Sequence, residues 1–369
     1  MKTVGVITAH CSTNPGASLQ AHAICQKIAD LGHKPVMIDY RPDYFTDIAE
    51  QGKTGKPSGK DRLKMMVLGR RLNGRHRLFQ QFEKEYYPEK TACYRTAEQI
   101  LAAPPSLDAY LCGSDQIWNP AHVRYDKTFF LEFAKHLAEK KLSYAASIGQ
   151  DVVDVKGCDF LKSSIDTMDR ISVREDTAKS LLQNTLGIEK TIHQHIDPTL
   201  LYPPSYWRSI EKMPNQKMPE KYILYYPLQD NPIVEELALL AKQQTGLPCV
   251  ALCSSLRKPR FADVQISIYG PREFLHVIDQ AHMVLTNSFH GIVMALLMGS
   301  NVVPYRNLVR NSRIESLFRT LKLENMQIDT IDAYRATDWN EVWEKAKNIA
   351  QVLETERARA TKYLAEVLL

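Results

Sequence analysis

Short apolar runs alternate along this chain with longer stretches of helical period. Residues 4–9, 35–40, 109–112, 142–148, 170–173 and 192–196 read as strands of a parallel sheet, 4–9 being the richest in β-branched side chains. Residues 17–31 place Leu19, Ala23, Ile24, Ile28 and Leu31 on one helical face and stop at Gly32. Residues 159–168, and the stretch from Asp176 through Leu182, read as further helices. The alternation restarts after a proline-rich passage. Strands are expected at 222–226, 249–252, 283–285 and 301–305, and helices at 232–244, 271–281 and 292–298. Residues 342–368 form a long helical tail. The pattern predicts an α/β protein built as two Rossmann-like domains facing each other across a cleft.

The domain limits follow from the interruptions. Pro203, Pro204 and the stretch 214–219 punctuate a linker. The expected domains are residues 1–205, with a helical insertion at 43–100, and residues 220–340, followed by a tail, 341–369, that folds back across both. Within the insertion, 52–60 is a polar Gly/Lys-rich loop. Residues 62–86 read as a helix dense in positive charge (Arg70, Arg71, Arg75, Arg77). That helix is either a solvated surface insertion or an element that meets an acceptor or a membrane surface.

Composition narrows the class. The 369 residues suit two domains, and 44% hydrophobic with 24% charged residues describes a core-forming chain. A net charge of +5 suits an anionic small ligand without demanding nucleic acid. The basic helix also lacks the interleaved aromatics that would stack on bases. Seven scattered cysteines, an N-terminus unlike a signal peptide and no run of membrane-spanning length predict a soluble cytoplasmic protein with free thiols. No G-x-G-x-x-G motif occurs, which disfavours a nicotinamide cofactor, and no Cys/His cluster has metal-ligand spacing.

The polar residues worth chemistry fall where strands give way to helices, the place ligands occupy in open α/β sheets. After the first strand come Asn14 and Gly16 at a helix N-terminus. After the third come Gly113, Ser114, Asp115, Gln116 and Trp118. Here an acid and an amide can bind sugar hydroxyls while the indole stacks on the ring, or the same residues form a turn anchored by a buried tryptophan. Arg174 and Glu175 follow the strand at 170–173; the guanidinium can clamp an anion or pair with its neighbour. Asn287, Ser288, Phe289, His290 and Gly291 follow the strand at 283–285. Ser288 can cap the next helix, and His290 lies in its first turn, either as a functional imidazole or as a satisfied core residue. Arg306, Arg310 and Arg313 come just after the last strand.

Taken in order, the segments N-P-G-A-S-L-Q (14–20), G-S-D-Q-x-W (113–118), Y-A-A-S-I-G (144–149), S-V-R-E (172–175), D-P-T (197–199) and S-F-H-G (288–291) resemble the polysaccharide pyruvyl transferase family from the N-terminus to about residue 325. The resemblance implies a fold similar to B-type glycosyltransferases and a reaction that moves the pyruvyl unit of phosphoenolpyruvate onto sugar hydroxyls. It implies no cofactor, with phosphoenolpyruvate as donor substrate. The implied acceptor is a sugar or lipid-linked oligosaccharide of a cell-surface polysaccharide, which would bring a cytoplasmic protein to the inner membrane face. By motif, Arg174 and His290 match donor-holding positions, and Arg310, with Arg306 and Arg313 as rivals, matches a further basic one. Asp115 is the candidate base for the acceptor hydroxyl. The remaining polar residues named above, with Phe289, Gly291 and Trp118, are candidate substrate contacts. The rival readings are a nucleotide-sugar glycosyltransferase and a non-catalytic sugar-binding relative.

Overall fold

The computed structural model describes residues 1–46, 59–137, 140–150, 152–255, 258–308, 311–324 and 326–369. The chain begins β1 (Thr3–Ile7), α1 (Pro15–Asp30), β2 (Lys34–Met37) and the single turn α2 (Asp43–Thr46), followed by the long α3 (Gly59–Tyr86). It continues α4 (Ala97–Ala102), β3 (Ala109–Gly113), β4 (Lys140–Tyr144), α5 (Val155–Ile165), β5 (Ile171–Val173), α6 (Asp176–Ser180) and β6 (Ile192–Gln194). The second series is α7 (Pro204–Ile210), β7 (Ile223–Tyr226), α8 (Val234–Thr245), β8 (Cys249–Leu252), β9 (Val264–Ile266), α9 (Pro271–Asp279), β10 (Met283–Thr286), α10 (Phe289–Met298) and β11 (Asn301–Pro304). The chain closes with α11 (Ser312–Leu321), α12 (Ile331–Ala336), α13 (Trp339–Lys347) and α14 (Ala350–Leu368).

These elements form two compact units. Unit 1 comprises Met1–Gly52, Glu83–Leu201 and Leu353–Leu369; unit 2 comprises Lys53–Phe82 and Tyr202–Val352. In unit 1 the parallel sheet runs β2-β1-β3-β4, and bridges from Leu142 to Arg170 and from Ala146 to Val173 carry it on to the parallel pair β5-β6. In unit 2 the parallel order is β9-β8-β7-β10-β11. Each order reverses direction once, between β1 and β3 in unit 1 and between β7 and β10 in unit 2. At such a reversal neighbouring crossovers depart to opposite faces and leave a crevice at the carboxyl ends of the strands. The central strands β1, β3, β7, β8 and β10 are buried almost throughout, as strands inside a parallel sheet are. The unit 1 core gathers Tyr40, Trp118, Phe129, Phe130 and Leu161, and the unit 2 core Tyr225, Leu285, Tyr305, Tyr334 and Trp339.

Four features depart from the sequence pattern. The expected insertion is divided: residues up to Phe82 of α3 pack with unit 2, and from Glu83 onward the chain rejoins unit 1. The charge-rich face of α3 gave no sign of which body it would cover. The 52–60 loop lies, over 52–58, outside the described residues. The strand expected to reach 148 stops at Tyr144, because Ala145 takes a left-handed backbone (φ 49°) that a strand cannot continue. The helical tail is broken into α13 and α14 at Asn348, and β9, only three residues long and half exposed, carries too little hydrophobic pattern to be read. From Leu353 onward α14 is fixed to unit 1: Arg357 Nε donates to Leu200 O at 2.7 Å, Arg359 Nη2 to Gln194 O at 2.8 Å and Tyr363 OH to Ser143 O at 3.0 Å.

One buried group under α14 makes unit 1 sensitive to acid. His195, just past β6, is stacked on Tyr144 (5.8 Å) and lies tilted against Tyr363 (4.5 Å), and its Nδ1 meets Ser172 Oγ at 2.8 Å. Burial, reinforced by the Arg359 charge, pushes the imidazole from 6.5 down to about 3. The folded state therefore keeps His195 neutral where the unfolded chain would take up a proton. Stability is full well above pH 6.5 and declines as pH falls through it towards 3, by up to roughly 5 kcal/mol for this group. Urea unfolding at pH 7 and pH 4 is expected to show this loss, and His195→Phe, which keeps the stack without the proton site, to flatten it. An unchanged slope in the variant would place the acid sensitivity elsewhere.

Candidate active site

In unit 1 the crevice is bordered by the segments leaving β1 and β3. Asn14 caps α1, its Oδ1 accepting from Gly16 N (2.9 Å) and Ala17 N (3.4 Å), so Asn14 and Gly16 form a built helix entry. Before it, His10 is buried with Nε2 2.9 Å from Asp39 Oδ1 and Nδ1 3.1 Å from Thr8 O. Burial works to raise the Asp39 carboxyl, but the His10 hydrogen bond and the charges of His10 and Arg41 outweigh it and hold it at about 2. Gln20, one turn into α1, donates to Thr8 Oγ1 at 2.8 Å, and Thr8 Oγ1 in turn donates to Ser114 O at 3.2 Å. The two sides of the crevice are thus cross-tied.

The segment after β3 turns sharply, with Ser114 and Asp115 both left-handed (φ 40° and 60°). Two consecutive non-glycine residues in that region carry strain of about 1–3 kcal/mol each, which surrounding contacts must hold in place. The contacts are visible: Ser147 N donates to Asp115 O at 3.0 Å, and Ser114 N to Tyr144 O at 3.0 Å. Asp115 and Gln116 stay half-buried, with polar groups within reach of solvent. Gly149, itself left-handed, leaves room for the Gln116 amide, which a Cβ would meet at 2.7 Å. Trp118 does not serve as a sugar platform. Its ring is fully enclosed, stacked on Phe130 at 5.2 Å, and its Nε1 donates to Phe129 O at 3.3 Å. The indole is an internal anchor for the loop, enclosed on all sides and closed to a sugar.

Ser114, Arg174 and Glu175 are brought together with Asp197, a residue of the D-P-T segment absent from the candidate set. Arg174 Nη1 donates to Asp197 Oδ2 at 2.6 Å and Nε to Glu175 Oε1 at 3.2 Å; Ser114 Oγ donates to Asp197 Oδ2 at 3.0 Å, and Ser147 Oγ to Glu175 Oε1 at 2.6 Å. Both ion pairs are buried, with side-chain exposures of 4% for Arg174, 1% for Glu175 and 0% for Asp197. Burial acts to lower the guanidinium pKa, yet Glu175, Asp197 and Asp115 raise it above its ordinary value. The charge of Arg174 is therefore matched from within. Glu175 is a buried ion-pair partner here. The strand-end spacing of D-P-T after β6 was the signal that could have added Asp197.

In unit 2 the crevice lies beside β7 and β10. Asn287 closes it from within: its Oδ1 accepts from Leu228 N (2.7 Å) and Gln229 N (3.4 Å), and its Nδ2 donates to Gln229 O (2.9 Å). With its amide spent on the β7 loop, Asn287 holds the scaffold instead of contacting substrate. Ser288 is the N-cap of α10, accepting from Gly291 N at 3.3 Å. Gly291 has no room for a side chain; a Cβ would lie 2.7 Å from Thr286 Oγ1 and 2.9 Å from the Tyr226 ring. That close approach draws the first turn of α10 against the sheet. Phe289 is buried and His290 is 6% exposed, their rings edge to face at 5.2 Å. Arg313, on α11, is buried with its guanidinium 6.0 Å from the Phe289 ring, so Arg313 and His290 share that aromatic neighbour. Arg306 is half exposed and paired with Glu315. Arg310 lies outside the described residues. Among the described residues no group of His, Cys, Asp or Glu is arranged to hold a metal ion, and no helix is long and apolar enough to cross a membrane.

The basic helix has also found partners. Arg71 Nη1 donates to Ser255 O at 2.9 Å, and the Arg75 guanidinium lies 4.5 Å from the Tyr269 ring centre. Two of its four named arginines thus dock on unit 2, against the reading of a wholly solvated charge run.

Two parallel-sheet Rossmann-like units, each with polar residues at its strand-order reversal, define the fold shared by B-type glycosyltransferases and sugar-nucleotide epimerases. Solved structures agree with that class. Staphylococcus aureus MnaA in complex with UDP superposes with a TM-score of 0.56 at 12% identity, covering 100% of this chain and 97% of its own. The UDP-GlcNAc 2-epimerase of Neisseria meningitidis gives 0.54 at 12% identity, covering 100% and 99%. A UDP-glucosyltransferase of Polygonum tinctorium gives 0.50 at 10% identity, covering 99% and 98%. At such identities the likeness is one of fold. No match is found among curated proteins. Residues 14–307 match the polysaccharide pyruvyl transferase family, and the chain belongs to that family.

Proposed function

We propose that the protein transfers the pyruvyl unit of phosphoenolpyruvate to two hydroxyls of a sugar in a cell-surface polysaccharide or its lipid-linked precursor, forming a ketal and releasing phosphate. Beyond family membership, the observation that carries this reading is His290 in the first turn of α10, at the reversal of the unit 2 sheet, with Arg313 at the same aromatic neighbour. A helix N-terminus and a guanidinium suit a small acid bearing carboxylate and phosphate.

The chemistry is a protonation followed by two additions. A proton delivered to the methylene carbon turns the neighbouring carbon into an oxocarbenium-like centre. One sugar hydroxyl attacks that carbon and loses its proton, the carbon–oxygen bond to phosphate breaks with its electron pair leaving on the phosphate, and the second hydroxyl attacks the same carbon and closes the ring, its proton passing to the departing phosphate. An imidazole can hand over and take back a proton near neutral pH, and His290 is given that part. Asp115, half-buried and held in a strained turn, is the candidate base for the acceptor hydroxyl, with Asn14, Gln116 and Ser114 as further candidate contacts on unit 1. Arg174 is carried over as a donor residue by motif. Its balanced charge supplies hydrogen-bond direction to a ligand without adding net attraction. A lipid-linked acceptor would bring the protein to the inner membrane face.

Incubation with phosphoenolpyruvate and a mixture of envelope oligosaccharides tests the reading. Phosphate release together with a pyruvyl mass increment on the sugar is expected. Sugar transfer from a nucleotide donor, with phosphoenolpyruvate untouched, would overturn it.

A further inference from the structure

The strand order of unit 2, β9-β8-β7-β10-β11, is the one on which nucleotides lie across the carboxyl ends of the strands. The phosphates meet the loop after the first strand and its helix, while the ribose lies towards the end of the second strand, commonly held there by an acidic side chain. The first strand here is β7, the second β8 and the third β9. The end of β8 carries Cys253, Ser254 and Ser255, with no acid among them. Gln265 Nε2 closes that loop, donating to Ser255 O at 2.7 Å.

Helix α3 then packs over the end of β9 and touches the exposed loop after β8. Arg71 binds the same carbonyl, Ser255 O, at the end of β8. At the end of β9, Arg75 stacks on Tyr269, Gly74 passes so close to Ile268 that a Cβ would meet its Cγ2 at 3.0 Å, and a Cβ on Gly270 would meet Leu78 Cβ at 2.8 Å. Packing this tight leaves no layer for a base or a sugar between α3 and the end of β9, while at the end of β8 the Arg71 side chain takes the place beside Ser255. The carboxyl ends of β7 and β10, where His290 lies, are bordered instead by the Asn287 and Leu228–Gln229 ties.

We infer that α3 is a built-in occupant of the ribose and base region of the unit 2 sheet, fixed by Arg71, Arg75 and Leu78, and that it restricts this unit to donors no larger than a small phosphorylated acid, excluding nucleotide sugars. The inference deepens the donor reading above and rests on it. An insertion from the first half of the chain thereby acts as a specificity element in the second.

The test uses UDP as probe on the full-length chain, read by saturation transfer to the uracil protons, with hydrogen exchange reporting whether α3 is seated. The native protein is expected to give no uracil signal at ~10 mM UDP, a concentration at which even weak nucleotide sites fill. Arg71→Ala combined with Arg75→Ala is expected to speed exchange in α3 by at least about tenfold and to bring uracil signals with an affinity near ~1 mM. Gly74→Leu, which wedges α3 away from Ile268, gives an independent release should the first variant fold poorly. Uracil contact in the native protein with α3 still protected would overturn the inference. So would a folded variant with α3 released and no gain in UDP binding. Phosphoenolpyruvate is titrated in parallel. Absence of its binding to the native chain counts against the donor reading alone, since the uracil readout does not depend on it.

Discussion

His290→Asn is expected to lower turnover with phosphoenolpyruvate by roughly 10²–10⁴-fold, with the protein folded and the donor still bound. Asparagine keeps a hydrogen-bond donor and fits a site whose original side chain is 6% exposed, so the first turn of α10 and its Ser288 cap survive. What it removes is the imidazole that gives and reclaims the proton. If His290 is the acid, kcat collapses while KM for phosphoenolpyruvate moves little. If the imidazole only donates a hydrogen bond to the phosphate, KM rises and kcat is largely retained. Steady-state kinetics at saturating donor separate the two, and retained turnover would remove the acid/base role. A calorimetric binding measurement on the variant confirms that the donor site is still formed.

Asp197→Ala is expected to produce the largest stability loss in unit 1, about 3–5 kcal/mol. The carboxylate is fully buried and takes a 2.6 Å bond from Arg174 Nη1, a 3.0 Å bond from Ser114 Oγ and two from Thr199, through N at 3.0 Å and Oγ1 at 2.7 Å. Removing it strips one of two counter-charges from a guanidinium that is 4% exposed. Breaking a buried pair from one side is costly because the remaining charge keeps its desolvation without its partner. Asp197→Asn retains the bonds from Thr199 and should cost less than the alanine. Urea denaturation gives the measurement. A loss below about 1 kcal/mol for the alanine would mean that the Arg174 charge is compensated by solvent or ligand. In that case Arg174 would be open to an anion, and its donor-binding role by motif would gain directly.

The two expectations bear on different kinds of legibility. His290 was readable because a strand, a capping serine and an apolar helix flank it in sequence, and a βαβ connection must put such residues at a strand's carboxyl end. Arg174 was equally readable as a strand-end residue, but its partner Asp197 is supplied by a different strand end, and no local pattern couples the two. The same holds for Trp118 and Asn287. An aromatic or an amide beside polar residues is compatible with binding a sugar or with closing a loop. Which of these it does depends on whether other chain, here Phe129 and Phe130 for the indole and Leu228 and Gln229 for the amide, reaches it first.

What the sequence determined by itself was the alternation of strand and helix and the doubling of that alternation into two Rossmann-like units. Those follow from backbone hydrogen bonding and from the period at which apolar side chains recur, both local properties. Tertiary structure alone decided the strand orders and hence the reversals, the enclosure of Trp118, the neutralisation of Arg174, and the seating of α3 on unit 2 by Arg71 and Arg75. Each of these depends on which distant segment fills a given volume or satisfies a given charge, and close packing in three dimensions settles that where periodicity along the chain cannot.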